Sequence, residues 1–142
     1  MIRARWFALL TIVLGMVAIA FAQDPVSKTL EAKVTYNGAG EVDSTHAIHI
    51  YLFDTPDISS GAMPIGWNSS YKNGAAVTMS GISASTVYLV VAYGDYDVTT
   101  GPPPSGTPVS FYLPGNPYPT PIEMDKAKVE IAFEFDDSAK MP

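Results

Sequence analysis

The stretch Ala127-Lys128-Val129-Glu130-Ile131-Ala132-Phe133-Glu134-Phe135 decides how the rest of the chain is read. On an extended backbone Ala127, Val129, Ile131, Phe133 and Phe135 fall on one side, and Lys128, Glu130, Ala132 and Glu134 on the other. That period of two fits a β-strand and not a helix, whose apolar stripe needs steps of three and four. Five apolar residues in register, with charges between them, predict a strand with one face in a core and one in water.

The same period recurs upstream. Residues 30–36 form a first strand, and residues 46–53 carry Ile48, Ile50 and Leu52 on one face with His49, Tyr51 and Phe53 on the other. Residues 87–93 are nearly all apolar or aromatic, which predicts a central strand covered on both faces. Weaker runs at residues 65–71, 75–80, 109–113 and 120–124 complete the set. The last two lie in Pro-rich sequence and are expected to be short or at an edge, because Pro has no N–H for a ladder. Asn37-Gly38-Ala39-Gly40 and Asn73-Gly74 mark turns, the latter a hairpin signal. After Gln23 no stretch keeps helical spacing over three turns. Seven or eight short strands around one core predict an all-β chain, a single antiparallel β-sandwich, with a small closed barrel as the alternative.

One segment adds detail to that architecture. Ile82-Ser83-Ala84-Ser85-Thr86-Val87-Tyr88 resembles the tyrosine corner of fibronectin type III modules in its Ile-x-x-x-Thr-x-Tyr spacing, with Ala84 where that family usually has proline. The resemblance implies that the Tyr88 hydroxyl bonds to upstream backbone and pins a crossover between sheets. The wider layout is similar to prealbumin-like and carboxypeptidase-regulatory-like sandwich domains. These likenesses imply an immunoglobulin-like or prealbumin-like type and leave function open.

Ahead of the strands, Arg3 and Arg5 precede an apolar run over residues 6–22 that closes on Ala20-Phe21-Ala22. This layout predicts a signal peptide over residues 1–22, cleaved after Ala22, and a sandwich domain over residues 23–142. An uncleaved anchor is the alternative, since about 17 residues is the short limit for a bilayer span. No second apolar run of that length follows, so no membrane contact is expected after cleavage. The expected location is periplasmic or extracellular.

Composition narrows the function. The chain has 142 residues, no Cys, 14 acidic and 8 basic side chains, and a net charge of −6. Absence of Cys excludes disulfide staples, thiolate metal sites and a cysteine nucleophile. The acidic balance argues against nucleic acid as a partner. No Gly-x-Ser-x-Gly elbow is present, and pairs such as Glu130 and Glu134 occur on any acidic strand face. The chain is therefore expected not to be an enzyme. His46 and His49 stand three apart on a strand and face opposite ways, which predicts a strand-end His and a surface His, not a shared metal.

Two binding chemistries remain. In Gly94-Asp95-Tyr96-Asp97-Val98-Thr99-Thr100-Gly101, oxygen-bearing side chains alternate as at the start of a calcium loop. Thr100 and Gly106 stand where an EF-hand needs Gly and Glu, so that motif is rejected. An all-antiparallel sandwich would instead gather Glu41, Asp43, Asp95, Asp97 and Asp125 at one end, and Asp54, Asp57, Asp136 and Asp137 at the other. Asp43, Asp95, Asp97 and Asp125 are thus the candidate calcium ligands, against ordinary solvated loop charge. Trp67, Tyr71, Tyr96 and Tyr118, with Tyr112, lie in or beside loops and short strands. Exposed rings there would stack on sugar faces, and buried ones would fill the core. The sequence thus points to a non-catalytic exported binding or structural module, with a calcium-dependent or carbohydrate-binding adhesion module as the alternative. Its expected partners are a carbohydrate, another envelope protein, or a second copy joined through an edge strand such as residues 30–36.

Overall fold

A computed structural model describes residues 26–115 and 118–142; the leader predicted over residues 1–22 lies outside them. The described chain is all-β, in eight strands: β1 (Lys28–Tyr36), β2 (Ala47–Phe53), β3 (Gly66–Ser70), β4 (Ala76–Ile82), β5 (Thr86–Gly94), β6 (Val109–Phe111), β7 (Ile122–Glu123) and β8 (Lys128–Phe135). A single 3-10 turn at Ile58–Ser60 interrupts the pattern. One sheet has the order β4-β1-β8, and the other β3-β2-β5-β6 with β7 also paired to β5.

The two sheets face one another across one core. Leu30, Ala32 and Val34 of β1 and Phe133 and Phe135 of β8 meet Ile48, Ile50 and Leu52 of β2 and Val87, Leu89 and Val91 of β5. The alternation read in the sequence set these faces correctly. The outer face of the first sheet is polar, with Lys128 Nζ 2.9 Å from Glu31 and 3.1 Å from Glu130. β5 is covered on both sides as expected, and so is β2, all seven of whose residues are buried.

Three expectations are corrected by the topology. Residues 30–36 are not an edge: β1 is the centre of its sheet, hydrogen-bonded to β4 on one side and β8 on the other. The sheets are not all antiparallel, because β1 and β8 run parallel over Thr29↔Lys128 to Tyr36↔Phe135. Asn73-Gly74 does not close a hairpin, since β3 pairs with β2 while β4 pairs with β1. Asn73 uses its amide as a surrogate peptide: Oδ1 accepts from the Tyr36 N–H at 2.8 Å and Nδ2 donates to the Tyr36 carbonyl at 2.8 Å. The turn therefore extends the end of β1 and carries the chain between sheets.

Proline-rich sequence limits the far edge of the second sheet as anticipated. β6 and β7 follow one track along β5, joined by a loop; Tyr112 N–H donates to Leu89 O at 3.0 Å and Met124 N–H to Ser85 O at 2.8 Å. The C-terminal residues then cross from β8 to cover β6, with Val109 N–H donating to Ala139 O at 3.0 Å and Met141 N–H to Thr107 O at 2.9 Å.

Candidate functional site

Alternation gives the second sheet a second apolar face, turned away from the main core. His49, Tyr51 and Phe53 of β2 point to it, and their cross-strand neighbours follow: Ser69 and Trp67 on β3, Ala92, Val90 and Tyr88 on β5. Ile58 and Ala62 from the loop after β2, and Tyr96 and Val98 from the loop after β5, pack on it. The expected surface His is corrected here. His49 is only 5% exposed, because Tyr96 lies over it with ring centroids 4.5 Å apart.

A short polar chain is built into this face. The His49 Nε2–H donates to the Gly94 carbonyl at 3.0 Å, and its Nδ1 accepts from the Ser69 hydroxyl at 2.8 Å. The Tyr51 and Tyr96 hydroxyls are bonded at 2.9 Å. Burial pushes the His49 pKa down and so favours neutral imidazole, while burial pushes Tyr51 and Tyr96 up.

At the β3 edge the face opens to solvent. Met63, Ile65, Trp67 and Tyr71 lie in or beside β3 and are 80, 46, 51 and 60% exposed. Four of the seven large apolar residues exposed among the described residues thus lie within nine positions. A scatter of single exposed side chains needs no explanation, but four of them in and beside one edge strand do. Trp67 is directly opposite Tyr51 on this face. A groove of about 340 Å³ opens on the inner side of the same edge, floored by Leu52, Met79 and Ile82, with Asp54 and Ile65 at its rim.

The sequence-selected aromatic residues are therefore divided. Trp67 and Tyr71 share the exposed edge. Tyr96 is a half-buried cover over His49, bonded to Tyr51. Tyr118 is 51% exposed and lines a separate cleft of about 100 Å³ with Ile58 and Phe111. Phe111 belongs to β6, three strand spacings and roughly 14 Å from β3. Tyr112 packs on the main core against Phe133, its ring centroid 5.4 Å away. Tyr88 sits on the outer face of β5 and makes no side-chain hydrogen bond among the described residues.

A different pair of tyrosines does what was expected of Tyr88. Tyr36 and Tyr93 stack at 3.9 Å in the core mouth. The Tyr93 hydroxyl donates to the Glu41 carbonyl at 2.8 Å, and the Tyr36 hydroxyl bonds Asp137, whose other oxygen accepts from the Ala39 N–H at 2.9 Å. Together they pin the loop that carries the chain from β1 to β2. Their signal in the sequence was weak: each is only the terminal inward residue of its strand.

The four candidate calcium ligands are not gathered. Because β8 runs parallel to β1, Asp125 precedes β8 at the end where β1 begins, away from Asp43, and Asp136 and Asp137 take its place beside the β1–β2 loop. Asp43 accepts from the Thr45 hydroxyl at 2.8 Å, from the Thr45 N–H at 2.8 Å and from the His46 N–H at 2.9 Å, which together hold its carboxyl down at about 2. Asp97 accepts from Thr99 N–H at 2.8 Å and its hydroxyl at 2.6 Å. Asp95 is exposed. Among the described residues no group of three His, Cys, Asp or Glu side chains could hold a metal ion.

Comparison of the chain with protein-family models, with curated proteins and with solved structures gave no match.

Proposed function

We propose that this chain is an exported, non-catalytic β-sandwich module, of immunoglobulin-like or prealbumin-like type, that binds carbohydrate on the β3 edge of its second sheet. The four exposed apolar side chains Met63, Ile65, Trp67 and Tyr71 in and beside β3 carry the reading. An indole lying along a sheet edge offers a flat π-face of low conformational freedom, which suits the C–H face of a sugar ring. The Tyr96 hydroxyl, partly buried on the same face of the sheet, supplies a polar partner for a sugar hydroxyl. Calcium has no part in this proposal, because Asp125 lies at the opposite end of the sheet from Asp43.

A glycan array followed by Trp fluorescence titration tests it. Trp67→Ala should weaken binding at least about tenfold, the loss of roughly 1.4 kcal/mol. Its melting temperature should stay near that of the natural chain, because the indole is half exposed. Tyr118→Ala should leave affinity unchanged. Absence of any glycan ligand, or full binding by Trp67→Ala, would overturn the reading.

A further inference from the structure

We infer that the protein forms a symmetric dimer in which β8 pairs antiparallel with β8 of a second copy. The other edge strands are all shorter than β8, and two of them are interrupted or covered. β3 is five residues long and starts at Gly66. β4 carries a bulge at Ser80-Gly81, where Lys28↔Ile82 shifts to Leu30↔Met79, and the Asn68 amide donates to its Thr78 carbonyl at 3.0 Å. β6 is covered by the C-terminal residues. β8 has none of these devices. It is eight residues long, regular, free of Pro and Gly, and among the described residues it pairs only with β1. Such an edge is a template for another strand.

The orientation of its backbone restricts the register. The carbonyls of Ala127 and Phe135 accept from Thr29 and Asn37, so odd-numbered residues aim their peptide groups at β1. Lys128, Glu130, Ala132 and Glu134 therefore aim theirs outward. A two-fold antiparallel pairing must set these even residues against one another. Centred on Ile131, it places Lys128 opposite Glu134 of the second copy, twice, and Glu130 opposite Ala132. Sliding one step in either direction sets Glu130 against its own copy, or against Glu134. Among registers that keep most of β8 paired, charge complementarity thus selects the one centred on Ile131. The inner face agrees: Val129 would meet Phe133, and Ile131 its own copy. Val129 and Ile131 are only partly buried in the single chain, although both pack on the core. Pairing would complete their burial and join two three-stranded sheets into one of six.

Lys128 and Glu134 have weak ties in the single chain. Lys128 is 51% exposed beside Glu31 and Glu130, and Glu134 accepts one bond from Asn37 Nδ2 at 2.8 Å. Both retain capacity for the new pair.

Sedimentation velocity on the exported protein, from about 10 to 500 µM to span weak affinities, tests the dimer. The natural chain should shift from monomer to dimer across that range. Lys128→Glu and Glu134→Lys should each stay monomeric, since each sets like charges opposite one another. Mixed in equal amounts, they should dimerise again, because the mixed pair restores opposite charges at both positions. Ala132→Pro, which removes an N–H that the single chain does not use, should also stay monomeric. Circular dichroism checks that each variant is folded. A natural chain monomeric throughout, or single variants that dimerise as well as their mixture, would overturn the inference.

Discussion

His49 shows how much one side chain depends on what covers it. Its sequence position puts it on the outer face of β2, and that face would be wet in an isolated sheet. Tyr96 closes over it, and the Gly94 carbonyl and Ser69 hydroxyl satisfy both nitrogens. Burial lowers its pKa from 6.5. The unfolded chain therefore binds the proton first as pH falls, and stability should decline once pH drops below 6.5 toward the lower folded value. Thermal melts across that window should show the decline, and His49→Gln, which keeps an N–H near Gly94, should flatten it. The carboxylates lie in a separate window. Asp43, Asp97, Asp136 and Asp137 are all lowered from 3.8 by hydrogen bonds, so their contributions fade only below that pH. Gly38 gives a steric test at the same scale. A Cβ there would overlap the Asp137 carboxylate and the Tyr36 hydroxyl, whereas one on Gly66 meets nothing within 4 Å. Gly38→Ala should cost about 1–3 kcal/mol in denaturant melts, and Gly66→Ala within about 0.5 kcal/mol of nothing.

Among elements, the strands differ in how firmly each is held. β1, β2 and β5 are bonded on both sides, and β6 and β7 on one track of five residues in total. Amide exchange should be slowest in the first group, opening only with global unfolding, and fastest along the two-residue β7. Leu89 on β5 is fully buried between the sheets, and Leu89→Ala should cost about 2–5 kcal/mol. The bulge in β4 depends on Gly81, whose φ is 78° in open space. Gly81→Ala should therefore destabilise by about 1–2 kcal/mol through backbone strain alone. Strand positions were legible to within a residue or two, because alternation marks burial directly. The Asn73-Gly74 turn was legible as a turn but not as a bridge between sheets, since its partner, the end of β1, lies 37 residues away.

For the whole molecule, the parallel pairing of β1 with β8 has the widest consequences. It makes the first strand central, exposes the last as an edge, and exchanges Asp125 for Asp136 and Asp137 at the end that carries Asp43. Millimolar calcium should leave the melting temperature unchanged, since a ligand stabilises only where the native state binds it. The same pairing ties the first described strand to the last. Truncation after Lys126 would remove Phe133 and Phe135 from the core and strip one side of β1, and it should abolish the cooperative thermal transition.

The sequence by itself determined which residues are strands and, for β2 and β8, which face enters the core, because in an extended chain those properties depend on neighbours one and two positions away. It also singled out Trp67 and Tyr71 as ring-bearing candidates without saying whether they are wet. Only the tertiary structure decided strand order, the direction of β8 against β1, the cover over His49 and the exposed β3 edge. Each of those depends on which distant segment lies alongside, and a period of two carries no record of the partner.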